Sequence, residues 1–230
     1  MASARSRLRV NDVSLERRVW LIRHGESAAN AGLRTEHPAT IPLTERGRVQ
    51  AMKVADWFGE PPALVVTSSY QRTTDTAAYL VQKFDGLARE QWAVHEMTFL
   101  SPESWRGSTF AERVPQVEAY WRRCDPSFVD GPGAESFDQF LARVTATAAE
   151  LERRSEPTIA IFSHGHFLRA LLWYLLAPRL CDAAAMRAFR DLAAVTAMPN
   201  ASITEMVGDG ARWRIGGPSV EHLPHDLITT

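Results

Sequence analysis

The sequence predicts an α/β fold, a three-layer α/β/α sandwich with a mostly parallel central sheet. Two observations carry this. Short apolar runs, Val19–Ile22, Ala63–Thr67 and Thr158–Phe162, alternate with longer amphipathic segments, the pattern of strands joined by crossover helices. Two of these runs end on the same device, Arg23-His24-Gly25 and Ser163-His164-Gly165. An apolar run that stops at a polar residue plus glycine reads as a buried parallel strand feeding a tight loop. In open α/β sheets, ligands sit beyond the carboxyl ends of such strands, so two histidines delivered this way imply one site built by two strands.

The elements follow in order. Residues 1–18 are polar and are expected to be a flexible tail, leaving 19–230 as a single domain. Val19–Ile22 is the first strand. Residues 30–41 hold Gly32 and Pro38 and read as loop. Thr44 is placed to cap a helix whose buried face would carry Val49, Met52 and Ala55. After the strand at 63–67, the segment 72–84 repeats apolar residues at helical spacing: Ala77, Leu80, Val81 and Phe84. Trp92–Glu96 reads as a weaker strand, and 111–121 as a helix aligning Val114, Val117 and Trp121. A Gly/Pro-rich loop spans 126–134. The clearest amphipathic helix is 136–151, with Phe137, Phe140, Leu141, Val144, Ala148 and Leu151 on one face. A helix is expected from about Phe167 and another over 183–192. Segments 202–207 and 212–215, joined by Gly208-Asp209-Gly210, read as a terminal hairpin. No segment reads as an interdomain linker, and no repeat of 20–50 residues is present.

Composition narrows the function. The chain has 230 residues, 45% of them hydrophobic, enough for one sizeable core. A formal net charge of −1 supplies no global field to attract nucleic acid or a membrane, so neither is an expected partner. Cys124 and Cys181 are far apart and lack metal-ligand spacing, which suits a reducing, cytoplasmic setting. The longest apolar stretch, 167–177, is interrupted by Arg169 and is too short to span a bilayer.

The chemistry gathers at three strand ends. The first presents Arg23 and His24, the second leads through Ser68 to Arg72, and the third presents Ser163 and His164. Two arginines and two histidines there would make a cationic pocket, and guanidinium forks match the oxygens of phosphate. The amides after Gly25 and Gly165 are expected to add donors. His164 and His166 could be read as a metal pair. The lack of clustered Asp ligands and the presence of two arginines argue against a cation, so no metal and no cofactor are expected.

Arg23-His24-Gly25-Glu26-Ser27 with Asn30 resembles the signature of the histidine phosphatase superfamily, of phosphoglycerate-mutase-like fold. Further matches keep that family's order: Leu43-Thr44-Glu45-Arg46-Gly47, Ser68 to Arg72, Gly133-Ala134-Glu135-Ser136, Ser163-His164-Gly165 and Asn200. The resemblance implies a phosphatase that forms a phosphohistidine on His24. Arg23, Asn30, Arg72 and Gly165 would bind the phosphoryl group and His164 would stabilise its charge. The substrate would be a small phosphate ester and inorganic phosphate a product. The leaving group needs an acid. Some relatives place Asp after the second histidine, where this chain has Gly165; others use a mid-chain Glu, which points to Glu96, with Glu103 as the alternative. Trp105-Arg106-Gly107 resembles a Trp-Glu-Gly of the family, with Arg106 in place of Glu.

Two other readings compete. A cofactor-dependent phosphoglycerate mutase would need a substrate-binding lysine and an arginine pair. Arg122-Arg123 could supply the pair, but no lysine follows Lys83. A non-catalytic phospho-ligand module would be expected to have lost one of Arg23, His24, Arg72 or His164, and all four are present. Specificity is expected from loops 30–41, 100–121 and 126–134, and the aromatic content of the middle segment favours a partly apolar leaving group. Ser163 is expected either to bind phosphate or to satisfy backbone groups, and His95 and His166 to line the pocket or support it.

Overall fold

A computed structural model describes residues 16–177 and 181–230. Six strands form one sheet in the order β3-β2-β4-β1-β5-β6. They are β1 (Arg17–Arg23), β2 (Leu64–Thr67), β3 (Ala88–Gln91), β4 (Thr158–Ser163), β5 (Ile203–Gly208) and β6 (Trp213–Ile215). The first four pair in parallel, and β5 and β6 are antiparallel additions at one side. The helices are α1 (Glu45–Trp57), α2 (Gln71–Lys83), α3 (Phe110–Arg123), α4 (Phe137–Arg153), α5 (Gly165–Leu176) and α6 (Ala183–Val195).

The period-2 alternation of strands explains the layers. Val19 and Leu21 of β1, Leu64 and Val66 of β2, and Ile159 and Ile161 of β4 face α4, α5 and α6. Their neighbours Trp20, Ile22, Val65, Ala160 and Phe162 face α1 and α2. Both faces of the central strands are thus covered, as a parallel sheet requires. The expected face of α4 is buried in full, and Ser136 caps that helix in a capping box with Gln139. Thr44 caps α1 as expected, accepting from the Gly47 amide at 3.0 Å.

Several boundaries differ from the sequence reading. Arg17 and Arg18, assigned to the tail, are strand residues; the residues before 16 lie outside the described part. Arg17 is buried because its guanidinium satisfies the backbone carbonyls of Leu151, Arg154 and Asp209. On α1 the buried face is Ala51, Val54 and Ala55, while Met52 is exposed. Helix α5 begins at Gly165, directly after the histidine. Trp92–Glu96 is not a strand. The edge strand is β3, four residues earlier, and all four of its side chains are exposed. An edge strand is held by main-chain bonds to one neighbour and needs no apolar side chain, so its composition hides it.

Register places the site. Arg23 pairs with Ser163 across β1 and β4, and Thr67 of β2 pairs with Phe162. His24, His164 and Ser68 therefore leave three adjacent strands at the same level, the carboxyl edge of the parallel block. The loop after β1 also presses on the start of α1. A Cβ on Gly25 would lie 2.5 Å from the Gly47 carbonyl oxygen, and one on Gly47 would lie 2.0 Å from that of Glu26. Neither position has room for any other residue.

Candidate active site

A cavity of about 420 Å³ opens at this edge. Its floor carries Arg23, His24, Asn30, Arg72, Glu96 and Gly165, so six of the seven expected site residues line it. The seventh, His164, is fully buried beside His24, with ring centroids 5.1 Å apart.

The hydrogen bonds of His24 fix its tautomer. Nδ1 lies 2.7 Å from the Gly25 carbonyl, which can only accept, so Nδ1 carries the proton. Nε2 is left with the lone pair and accepts from Arg72 Nε at 3.1 Å. Burial, then the charges of Arg72 and Arg23, hold the pKa of His24 well below its ordinary 6.5. Burial and the charge of Arg72 do the same for His164. His164 Nε2 contacts Ser68 Oγ at 2.8 Å, while its Nδ1 has no partner. Burial lowers Arg23 and Arg72 only to about 10, so both stay cationic at neutral pH.

Stability should follow from these two imidazoles. In the unfolded chain each takes a proton near pH 6.5, whereas in the folded protein each stays neutral to lower pH. The unfolded state thus binds more protons below 6.5, and stability falls as pH falls through that value. The slope reaches about 1.4 kcal/mol per pH unit for each buried histidine. Urea titrations from pH 7.5 to 5 are expected to show the loss beginning near 6.5, and His164→Asn to flatten it.

Asn30 receives three bonds on its Oδ1, from Ser27 N at 3.2 Å, Ser27 Oγ at 2.8 Å and Asn200 Nδ2 at 3.1 Å. Its amide group is thereby turned to the cavity as a donor. Asn200 also reaches the His24 carbonyl, so it positions both residues.

Glu96 does not end a strand. It lies across the start of α5, accepting from the amides of His166 at 3.1 Å and Phe167 at 3.3 Å, with the His166 ring 3.5 Å away. Burial raises its pKa, but His166, Arg72 and the amide together outweigh this and hold the carboxyl well below the usual carboxylate range. Glu96 is therefore held as an anion. Glu103, the alternative acid, pairs with Arg106 and is 72% exposed, away from the cavity wall.

The expected amide donors are occupied. Gly25 N donates to Thr76 Oγ1 at 3.0 Å, Glu26 N to Gln50 Oε1 at 2.6 Å, and the amide after Gly165 to Glu96. At the start of α5 the amides of His166 and Phe167 are thus taken by the Glu96 carboxylate. Ser163 serves the backbone alternative: Oγ donates to the Val94 carbonyl at 2.6 Å and pins the segment that carries Glu96. Arg143 holds the same segment through the carbonyls of Ala93 and His95 and pairs with Glu135 at 2.7 Å. Of the two histidines expected near the pocket, His166 lines it and His95 packs against Tyr70.

Two cavity arginines escaped the sequence reading. Arg169 lies one turn beyond Gly165 on α5, and its Nη1 would stand 3.0 Å from a Cβ at Gly165. Its signal in the sequence is a single arginine interrupting an apolar run. The other is Arg113 on α3. Conversely, Arg122 pairs with Glu118 and Arg123 stacks on Phe128, so neither member of the supposed pair reaches the cavity. Loop 126–134 also stays off the wall; it supports Ser101 through Asp130 and Pro132. The upper wall is apolar, made by Ile41, Phe99, Leu100, Trp105, Phe110 and Val117. Among the described residues no cluster of metal-ligating side chains occurs, and no helix is long and apolar enough to cross a membrane.

Neutral imidazoles thus stand among arginines at the carboxyl edge of a parallel sheet, an arrangement whose charge and donors suit a phosphoryl group. The model of the histidine phosphatase superfamily (branch 1) matches residues 19–218, and the chain belongs to that superfamily, which makes it by family a phosphoric monoester hydrolase. An acid phosphatase of Mycobacterium tuberculosis is 33% identical over 67% of this chain and 73% of its own length. A probable phosphoglycerate mutase of Salmonella paratyphi C is 30% identical over 69% of this chain and 74% of its own. The solved structure of a mycobacterial glucosyl-3-phosphoglycerate phosphatase with inorganic phosphate superposes with a TM-score of 0.65 at 26% identity, covering 90% of this chain and 100% of that one.

Proposed function

We propose that this protein hydrolyses small phosphate monoesters through a phosphohistidine on His24 Nε2. The observation that carries this is the tautomer: Gly25 fixes the proton on Nδ1 and leaves a neutral lone pair between two arginines. A bound phosphoryl group would draw the Arg72 guanidinium off Nε2 and free the lone pair. Nε2 then attacks phosphorus as the P–O bond to the leaving group breaks. Arg23, Arg72, the Asn30 amide and His164 Nδ1 stabilise the charge on the equatorial oxygens. Glu96 protonates the leaving alkoxide. Its low pKa depends in part on Arg72; a bound dianion offsets that charge and repels a carboxylate, which raises Glu96 toward its acid form. Glu96 then takes a proton from the water that hydrolyses the phosphohistidine.

The mutase reading has a relative behind it, but the cavity is lined by arginines without a lysine. The test is to compare phosphate release with interconversion of 2- and 3-phosphoglycerate. Release with negligible interconversion is expected; rapid interconversion with little release would make the mutase reading correct.

A further inference from the structure

The cavity extends well beyond a phosphate site, into the range of roughly 300–1,000 Å³ that accepts drug-sized ligands. Its upper wall is apolar except for Arg113. That residue is 2% exposed and forms no ion pair among the described residues. The adjacent acid, Glu112, is turned away to Arg34 and to the Thr109 cap. Arg113 Nη1 is satisfied by Ser108 O at 2.8 Å and Ser108 Oγ at 2.9 Å, and its guanidinium stacks over Trp105 at 4.0 Å. Nη2 is buried without any partner. A buried, always-charged guanidinium lacking a counter-ion is costly, and such a group is normally paired.

We infer that Arg113 is the receptor for a carboxylate on the leaving group, so that the preferred substrates are phosphomonoesters of apolar alcohols or phenols bearing a remote carboxylate. This rests on the phosphatase reading of the same cavity. The geometry favours one acceptor of modest charge. With Nη1 taken by Ser108, the Nε–Nη2 edge of the guanidinium is left to meet the two oxygens of one carboxylate, whereas a second phosphate would need further donors that the apolar wall lacks. The position is also well built. Thr35 bridges to Ser108 and Arg106, tying the loop after β1 to the segment that orients Arg113. A purely structural Arg113 would brace Ser108 and Trp105 and affect all substrates alike.

The experiment measures kcat/KM for para-(carboxymethyl)phenyl phosphate, para-ethylphenyl phosphate and para-(phosphonomethyl)phenyl phosphate. Wild type is expected to prefer the carboxylate over the ethyl compound by about tenfold or more, as suits a charged hydrogen bond. Arg113→Met should bring that ratio close to one, and Arg113→Lys should restore part of it. Circular dichroism establishes that the variants are folded. Equal efficiency in wild type, or a preference that survives in Arg113→Met, would overturn the inference, and a stronger preference for the phosphonomethyl compound would overturn the choice of carboxylate. If no ester is hydrolysed, the phosphatase reading fails instead. Calorimetric titration with the corresponding non-hydrolysable phosphonates then reads the same preference in Kd, and its absence there sinks the subsite.

Discussion

Replacing His24 with alanine is expected to lower kcat/KM for any active phosphomonoester by about 10⁴-fold or more, since loss of a covalent nucleophile removes the reaction path itself. The fold should survive. His24 leaves β1 at its end and contributes one hydrogen bond to Gly25 and one from Arg72, neither of which belongs to the apolar layers. Rapid quenching of wild type with a ³²P-labelled substrate should trap an acid-labile, base-stable phosphoenzyme, absent from His24→Ala. Full turnover in that variant, or no phosphoenzyme with any active substrate, would remove the covalent mechanism. His164→Asn makes an informative contrast. It retains the nucleophile and loses a buried neutral imidazole next to it, so it should form phosphoenzyme more slowly, by about 10²–10³-fold, without abolishing it.

That contrast reflects what the sequence made legible. The strand ends were readable because an apolar run closing on His-Gly fixes both the element and the direction of its last side chain. Arg23, His24, Arg72 and His164 follow from local order alone, and the sheet register needed only to place β1, β2 and β4 side by side. Residues whose role depends on tertiary contact were not readable. Trp92–Glu96 is pinned by Ser163 and Arg143, which bind the carbonyls of Val94, Ala93 and His95, and its sequence shows neither contact. Arg113 sits on a helix whose visible signal was Val114, Val117 and Trp121, and a buried arginine on such a face is invisible until the loop carrying Trp105 folds over it. The His166 and Phe167 amides read as open phosphate donors because nothing in the sequence shows that Glu96, some seventy residues earlier, occupies them.

Glu96 is where the structure changes the expected chemistry most, and Glu96→Gln tests it. The glutamine keeps the carbonyl acceptor for the His166 and Phe167 amides, so the start of α5 should hold, but it can neither give nor take a proton. For an alkyl phosphate, whose alkoxide cannot leave unprotonated, kcat/KM is expected to fall by about 10³–10⁴-fold, the upper part of the range for general acid catalysis. For para-nitrophenyl phosphate, whose leaving group needs little help, the loss in the phosphorylation step should be no more than about tenfold. Hydrolysis of the phosphohistidine still needs a base, so phosphoenzyme should accumulate in Glu96→Gln with the nitrophenyl ester. An equal loss for both esters would mean that Glu96 only anchors α5. The pH profile separates the same alternatives. Because His166, Arg72 and the backbone amide hold Glu96 as a carboxylate, an acid role requires protonation on substrate binding, so kcat/KM for the alkyl ester should rise as pH falls toward 6. That rise should be absent in Glu96→Gln, because no carboxyl remains to take up the proton.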